Sequence, residues 1–136
     1  ISWKIWFERY LKFIKDKAII IGFSLGATFI LKYLSENDLP KKISQLHLVS
    51  TCVVDEISYF SEKLNTFEFD ISKIERIKNM CSDIHIWHSM DDNIVPILNG
   101  ELVYKYLPNA NFHKFMDRGH FNQPAFIEIL QVINKK

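Results

Sequence analysis

Three kinds of side chain that together perform acyl transfer stand in this chain where the backbone changes character: Ser24 in Gly22-Phe23-Ser24-Leu25-Gly26, the acidic pair Asp91-Asp92, and His120 in Asp117-Arg118-Gly119-His120-Phe121. The combination has a defined use. A histidine takes the serine proton and later returns it to the leaving group, while a carboxylate fixes the imidazole tautomer and stabilises its charged form. A serine hydroxyl is too weak a nucleophile without such a base. Gly-x-Ser-x-Gly alone is a common turn, so its meaning rests on its flanks. Ile19-Ile20-Ile21 before it is an apolar, β-branched run, and Thr28 to Leu34 after it has helical spacing. The segment therefore reads strand, tight turn, helix. Such a turn holds its serine in a strained conformation above the sheet. Strand and helix approach closely there, so the positions two before and two after the serine, Gly22 and Gly26, should be free of side chains.

The elements that must position these groups follow from periodicity and punctuation. Trp3, Trp6, Phe7, Tyr10, Phe13 and Ile14 recur at three- and four-residue spacing, which predicts an amphipathic helix of about four turns with its aromatic stripe in the core. A first strand is expected over Ala18–Phe23, and the helix after Ser24 should fade before Pro40. The second strand, Gln45–Ser50, is apolar enough to be covered on both faces, with His47 inside it as a packed structural residue. From Thr51 to Asp70 the period is lost, and Tyr59, Phe60, Phe67 and Phe69 either shape a pocket over the strand ends or only cover core. Asp70 should cap a short helix, Ile71–Lys78, with Ile71, Ile74 and Ile77 on one face. The third strand is Ile84–His88. Pro96 opens a helix to about Tyr106, Phe112–Met116 is the fourth strand, and Phe126, Ile129, Leu130 and Ile133 form the apolar face of a closing helix. His85 and His88 point to opposite faces of their strand, so they cannot chelate one ion, and no metal site is expected.

Successive β-α units imply an α/β fold with a parallel sheet of about four strands and right-handed crossovers. In such sheets chemistry gathers beyond the carboxyl ends of the strands. Ser24, the Asp91-Asp92 pair and His120 each fall just past such an end.

Composition narrows the partners. The 136 residues suit a single domain over 1–136, and 48% hydrophobic residues are ample for a core. With 17 Lys+Arg against 16 Asp+Glu, neither nucleic acid nor an anionic membrane surface is favoured, and a small neutral substrate is the simpler expectation. Cys52 and Cys81 show no metal or redox spacing and read as buried thiols of a reducing cytosol. No apolar run is long enough to span a bilayer, and no signal-peptide pattern opens the chain, so a cytoplasmic location is expected.

Specific motifs add a resemblance. Asp92-Asn93-Ile94-Val95-Pro96, Arg118-Gly119-His120-Phe121, Phe69-Asp70-Ile71-Ser72-Lys73-Ile74 and Lys114-Phe115-Met116-Asp117 together resemble the α/β-hydrolase superfamily, in particular the small serine hydrolases of the retinoblastoma-binding protein nine family, from about Lys17 to the C-terminus. The resemblance implies a three-layer α/β-hydrolase core with Ser24 on a nucleophile elbow, Asp92 as the acid, His120 as the base, and the amide of Leu25 as the first oxyanion donor. It leaves Asp91 as a loop cap or a solvated neighbour. The implied activity is serine-esterase-like hydrolysis of an ester, thioester or amide of a small acyl substrate through an acyl-serine, with no cofactor. A catalytically weak interaction module on the same fold is the alternative. The family pattern places several strands before the nucleophile strand, one of which supplies the second oxyanion donor, and only 23 residues precede Ser24. An N-terminally truncated domain is therefore expected. Its apolar first strand would lie at the sheet edge, covered by the Trp3–Ile14 helix, paired in a homodimer, or occupied by something absent from this sequence.

Overall fold

A computed structural model describes residues 2–53 and 67–135. Among the described residues nine elements follow in order: α1 (Ser2–Leu11), β1 (Ile19–Phe23), α2 (Leu25–Glu36), β2 (Gln45–Val49), a 3-10 helix (Ile71–Asn79), β3 (Ile84–Ser89), α3 (Leu98–Tyr106), β4 (Asn111–Phe115) and α4 (Ile127–Asn134). The four strands form one parallel sheet in the order β1-β2-β3-β4. Parallel neighbours need a crossover each, and the helices between them supply it. The three-layer α/β-hydrolase-like core implied by the sequence is thus the architecture observed.

Two cores sandwich the sheet. On one face Leu46, Leu48, Ile84 and Ile86 meet Leu31 and Leu34 of α2, Ile74 and Ile77 of the 3-10 helix, and Val103 of α3. On the other, Val49 and Trp87 pack with Ile129 of α4 and with Phe115, Phe121 and Phe126. Every residue of β2 and β3 is buried, as expected of strands covered on both sides. Each fully buried Leu or Ile contributes roughly 1.5–3 kcal/mol, so the central pair of strands is the rigid frame for whatever lies at its ends. His47 is among the buried residues, and His47, His85, Trp87 and His113 stack ring on ring across β2, β3 and β4.

Several elements depart from expectation. The first helix stops at Leu11, short of Ile14, and none of its residues is buried. Phe7 packs edge-on against Phe29 and Tyr33, and Trp3 against Phe29 and Phe67, but Trp6, Tyr10 and Phe13 are exposed. The aromatic stripe is therefore not a core face. Among the described residues only Trp3 and Phe7 find ring partners in the body of the protein, on α2 and at Phe67, while Trp6 and Tyr10 border an open groove beside β1. β1 takes the sheet edge, with Ile19, Ile21 and Phe23 exposed, and its outer side opens on a groove of about 640 Å³ bounded by Trp3, Trp6 and Tyr10.

The segment after Asp70 is a helix of the tighter kind. Its apolar residues at 71, 74 and 77 keep a strict spacing of three, which three residues per turn bring into line and an α-helix lets drift. Ile74 and Ile77 are fully buried, and Asp70 Oδ1 caps the start by accepting from the Ser72 amide at 3.1 Å. The third helix begins at Leu98 with Pro96 two residues upstream, and β4 runs from Asn111 to Phe115, one residue earlier than the sequence suggests. Phe67 is buried and Phe69 packs on the main core; Tyr59 and Phe60 lie outside the described residues. No helix among the described residues is long and apolar enough to cross a membrane.

Candidate active site

The turn from β1 into α2 places Ser24 at φ 51°, ψ −121°, a backbone region that a side chain makes costly. Local packing holds it there. A Cβ on Gly22 would stand 2.6 Å from the Cα of Ala27, so only glycine lets strand and helix close the turn. Gly26 is different: a Cβ there meets nothing within 4 Å, and the expectation that both flanking glycines are sterically required holds for Gly22 alone. The Ser24 amide donates to Val49 O at 2.8 Å, which ties the turn to the end of β2. Thr28 completes the anchor, its Oγ1 donating to Cys52 O at 2.7 Å.

The acid loop follows β3. Asp92 is buried, and its Oδ1 accepts the Ile94 and Val95 amides at 3.0 and 2.8 Å, while its Oδ2 accepts the Ser50 hydroxyl at 2.9 Å. Burial alone would raise the pKa of this carboxyl. The hydrogen bonds from His120, the two amides and Ser50 together outweigh it and hold the group below the usual carboxylate range. Asp92 is therefore an anion at neutral pH.

The histidine loop follows β4. His120 Nδ1 lies 2.9 Å from Asp92 Oδ2 and 3.1 Å from Oδ1, and its Nε2 lies 3.1 Å from Ser24 Oγ. An anionic acceptor at Nδ1 makes that nitrogen the donor, which leaves Nε2 its lone pair, facing the serine hydroxyl. Phe23 sets one wall of the imidazole, with ring centroids 5.1 Å apart. Ser24, Asp92 and His120, three residues far apart in the chain, thus form one hydrogen-bonded line above the carboxyl ends of β1, β3 and β4. Leu25 opens α2 directly after Ser24, where a helix leaves its first amides without intrahelical acceptors and carries partial positive charge.

Two supports were not found by sequence reasoning. Ser50, at φ 45° just past β2, presents its hydroxyl to Asp92; the polar pair Ser50-Thr51 at the end of an apolar strand is the signal that could have marked it. His88 is fully buried, donates from Nε2 to Val95 O at 2.7 Å, and so pins the far end of the acid loop. Burial lowers its pKa and keeps it neutral. His85 faces the opposite way, into the ring stack with His47 and His113. Asp91 is exposed and acts as a loop cap: its Oδ1 accepts from the Ser89 hydroxyl and from the Gly119 amide.

No family model matches the chain. It is 31% identical over 118 residues to the serine hydrolase RBBP9 of Rattus norvegicus, a match covering 87% of this chain and 60% of that protein. The chain thus spans about three fifths of that relative's length. Among solved structures it is similar to the ydeN gene product of B. subtilis, with a TM-score of 0.78 at 20% identity over 95% of this chain and 70% of the other. It is also similar to the monoacylglycerol lipase of Paleococcus ferrophilus, with a TM-score of 0.65 at 14% identity over 98% and 72% of the two chains. In fold the chain is an α/β-hydrolase, and in sequence it is similar to the small serine hydrolases typified by RBBP9.

Proposed function

We propose that the chain is a serine hydrolase, carboxylesterase-like in its chemistry, that cleaves an ester, thioester or amide of a small acyl substrate through an acyl-Ser24 intermediate. The observation that carries this is the continuous line from Ser24 Oγ through His120 to the buried, anionic Asp92. In this mechanism Ser24 Oγ adds to the substrate carbonyl carbon as His120 Nε2 takes its proton, and Asp92 stabilises the resulting imidazolium. The oxyanion of the tetrahedral intermediate accepts from the Leu25 amide at the head of α2. Collapse breaks the bond to the leaving group, which departs with the proton from His120. Water, deprotonated by the same nitrogen, then adds to the acyl-Ser24 carbonyl, and collapse breaks the bond to Ser24 Oγ, which takes the proton back from His120 as the acid is released. Proton and charge balance through these residues alone. The burial of both Cys52 and Cys81 suits a reducing, cytoplasmic setting.

A second reading, an interaction module built on the same fold, has the exposed Ile19, Ile21 and Phe23 of β1 in its favour, since an apolar sheet edge is a surface for pairing with a second copy. Fluorophosphonate labelling separates the two. The chain should be labelled at Ser24 and should hydrolyse a p-nitrophenyl ester, and Ser24→Ala should lose both with its melting temperature unchanged. A chain that resists the probe, or a Ser24→Ala variant labelled as well as its parent, leaves the module reading in possession.

A further inference from the structure

His120 can serve Ser24 only if its ring stands where Nε2 reaches the hydroxyl, and side-chain contacts are half of what sets that position. The other half is the backbone that carries the ring. Among the described residues, two consecutive amides just before His120 are both held by the acid loop. Arg118 N–H donates to Ser89 Oγ at 3.0 Å, and Gly119 N–H donates to Asp91 Oδ1 at 2.8 Å. The two acceptors are themselves joined, because Ser89 Oγ donates to the same Asp91 Oδ1 at 2.5 Å. A carboxylate can only accept, so the serine hydrogen points at Asp91 and the serine lone pair is left for Arg118. Gly119 sits at φ 52°, a conformation outside both helix and strand, where no regular ladder can take up its amide.

Other contacts on this loop act elsewhere. The Phe121 amide and Gln123 Nε2 both bond to Arg118 O, and the Arg118 side chain pairs with Glu128 on α4. They hold the loop to itself and to the closing helix, while the bonds from Asp91 and Ser89 tie it to the loop that bears Asp92.

We propose that Asp91 is a positioning residue for the hydrolysis described above. With the buried Ser89 it clasps the Arg118-Gly119 backbone to the end of β3, and so sets the distance from His120 Nε2 to Ser24 Oγ. It touches neither substrate nor reacting atoms. The proposal rests on the Ser24–His120–Asp92 reading of the active site. Three consequences follow. Since both bonds end on Oδ1, what the clasp needs is an acceptor oxygen and not a charge, so an asparagine serves in place of the aspartate. Because the two residues form one unit, removing either should cost about as much as removing both. As the effect is on geometry at the reacting centre, it should fall on kcat and spare KM.

The test compares Asp91→Ala, Asp91→Asn, Ser89→Ala and the double alanine variant, with p-nitrophenyl ester turnover and fluorophosphonate labelling as kinetic readouts. A displacement of about 1 Å at a reacting group costs on the order of a hundred-fold, so Asp91→Ala should lower kcat by roughly ten- to a hundred-fold with KM within about three-fold. Asp91→Asn should stay within about three-fold of the parent, and the double variant should be no worse than the poorer single one. Amide hydrogen exchange supplies a readout independent of activity: the Gly119 amide should exchange at least about ten-fold faster in Asp91→Ala and unchanged in Asp91→Asn. A parent chain that neither turns over nor reacts with the probe refutes the hydrolase reading, while the exchange comparison still decides the clasp. Should Asp91→Ala fail to fold, Ser89→Ala carries the test with the same expected loss. Full activity in either alanine variant, or an asparagine variant as impaired as the alanine one, overturns the proposal.

Discussion

Replacing Asp92 with asparagine isolates the electrostatic part of the site from its shape. In the parent, Oδ1 accepts the Ile94 and Val95 amides, two donors that demand an oxygen at that position. The asparagine oxygen must therefore stay there, and the new NH2 group takes the place of Oδ2, facing His120 Nδ1 at 2.9 Å and Ser50 Oγ at 2.9 Å. The Ser50 hydroxyl can turn and accept. Imidazole has to answer by accepting at Nδ1, which moves its proton to Nε2 and points a donor at Ser24. That tautomer cannot take the serine proton. The original oxygen still lies 3.1 Å from Nδ1, a poorer partner already shared between two amides, so a minor population keeps the productive tautomer. The expected loss in kcat lies between about a hundred- and ten-thousand-fold, or about 3 to 5 kcal/mol in the barrier. Stability should fall by no more than about 1 kcal/mol, since every polar group keeps a partner. Steady-state ester hydrolysis, probe-labelling rates and a thermal melt measure all three quantities. A variant that retains more than a tenth of parental kcat, with its fold intact, would refute the tautomer argument.

Two further expectations test the scaffold. Burial, followed by the neighbouring His85, lowers His47 to a pKa of about 4, and burial and His85 do the same for His113, against an ordinary value of 6.5. Asp83, bonded to His85, pulls His47 the other way without reversing the shift. The unfolded chain then binds more protons than the native one between these values. This stability is complete above about pH 6.5 and is lost as pH falls toward 4, with roughly 3 kcal/mol at stake for His47 by that point. Melting temperatures across pH 7.5 to 4 should fall in that window; a flat profile contradicts the burial argument. Gly22→Ala should cost about 1–3 kcal/mol, because the added methyl meets the Ala27 backbone at 2.6 Å. Gly26→Ala, with open space at its Cβ inside a helix, should be neutral or stabilise by up to about 1 kcal/mol, and equal melting temperatures for the two variants would contradict the packing described at the elbow.

Much of this protein was legible in its sequence because the signals are local. A β-branched run ending in Gly-x-Ser-x-Gly and followed by helical spacing describes its own turn, and the alternation of strands with helices leaves a parallel sheet as the economical way to bury them. That sheet brings the ends of its strands to one side, which is why Ser24, Asp92 and His120 could be read as neighbours. The spacing of Ile71, Ile74 and Ile77 announced a helix, but whether it winds at three residues per turn or 3.6 depended on the surface of α2 that receives it.

What the tertiary structure alone decided are the matters of orientation and cover. The aromatic spacing of α1 predicted a buried face, but among the described residues only Trp3 and Phe7 meet partners, on α2 and at Phe67, while Trp6 and Tyr10 border an open groove. Gly26 looked as constrained as Gly22 in the motif, yet the helix leaves one Cβ direction open and closes the other. Ser50 was marked only by the polar pair that follows β2, Asp91 only as a loop cap, and the parts of His88 and Ser89 not at all, because each acts through a hydrogen bond that depends on strand register and loop rotation to within a few tenths of an ångström. Sequence determines which chemistry a stretch can bear and which element it will form, since both depend on neighbours along the chain. Which groups finally face one another is a sum over contacts distant in sequence, and only the folded chain carries it out.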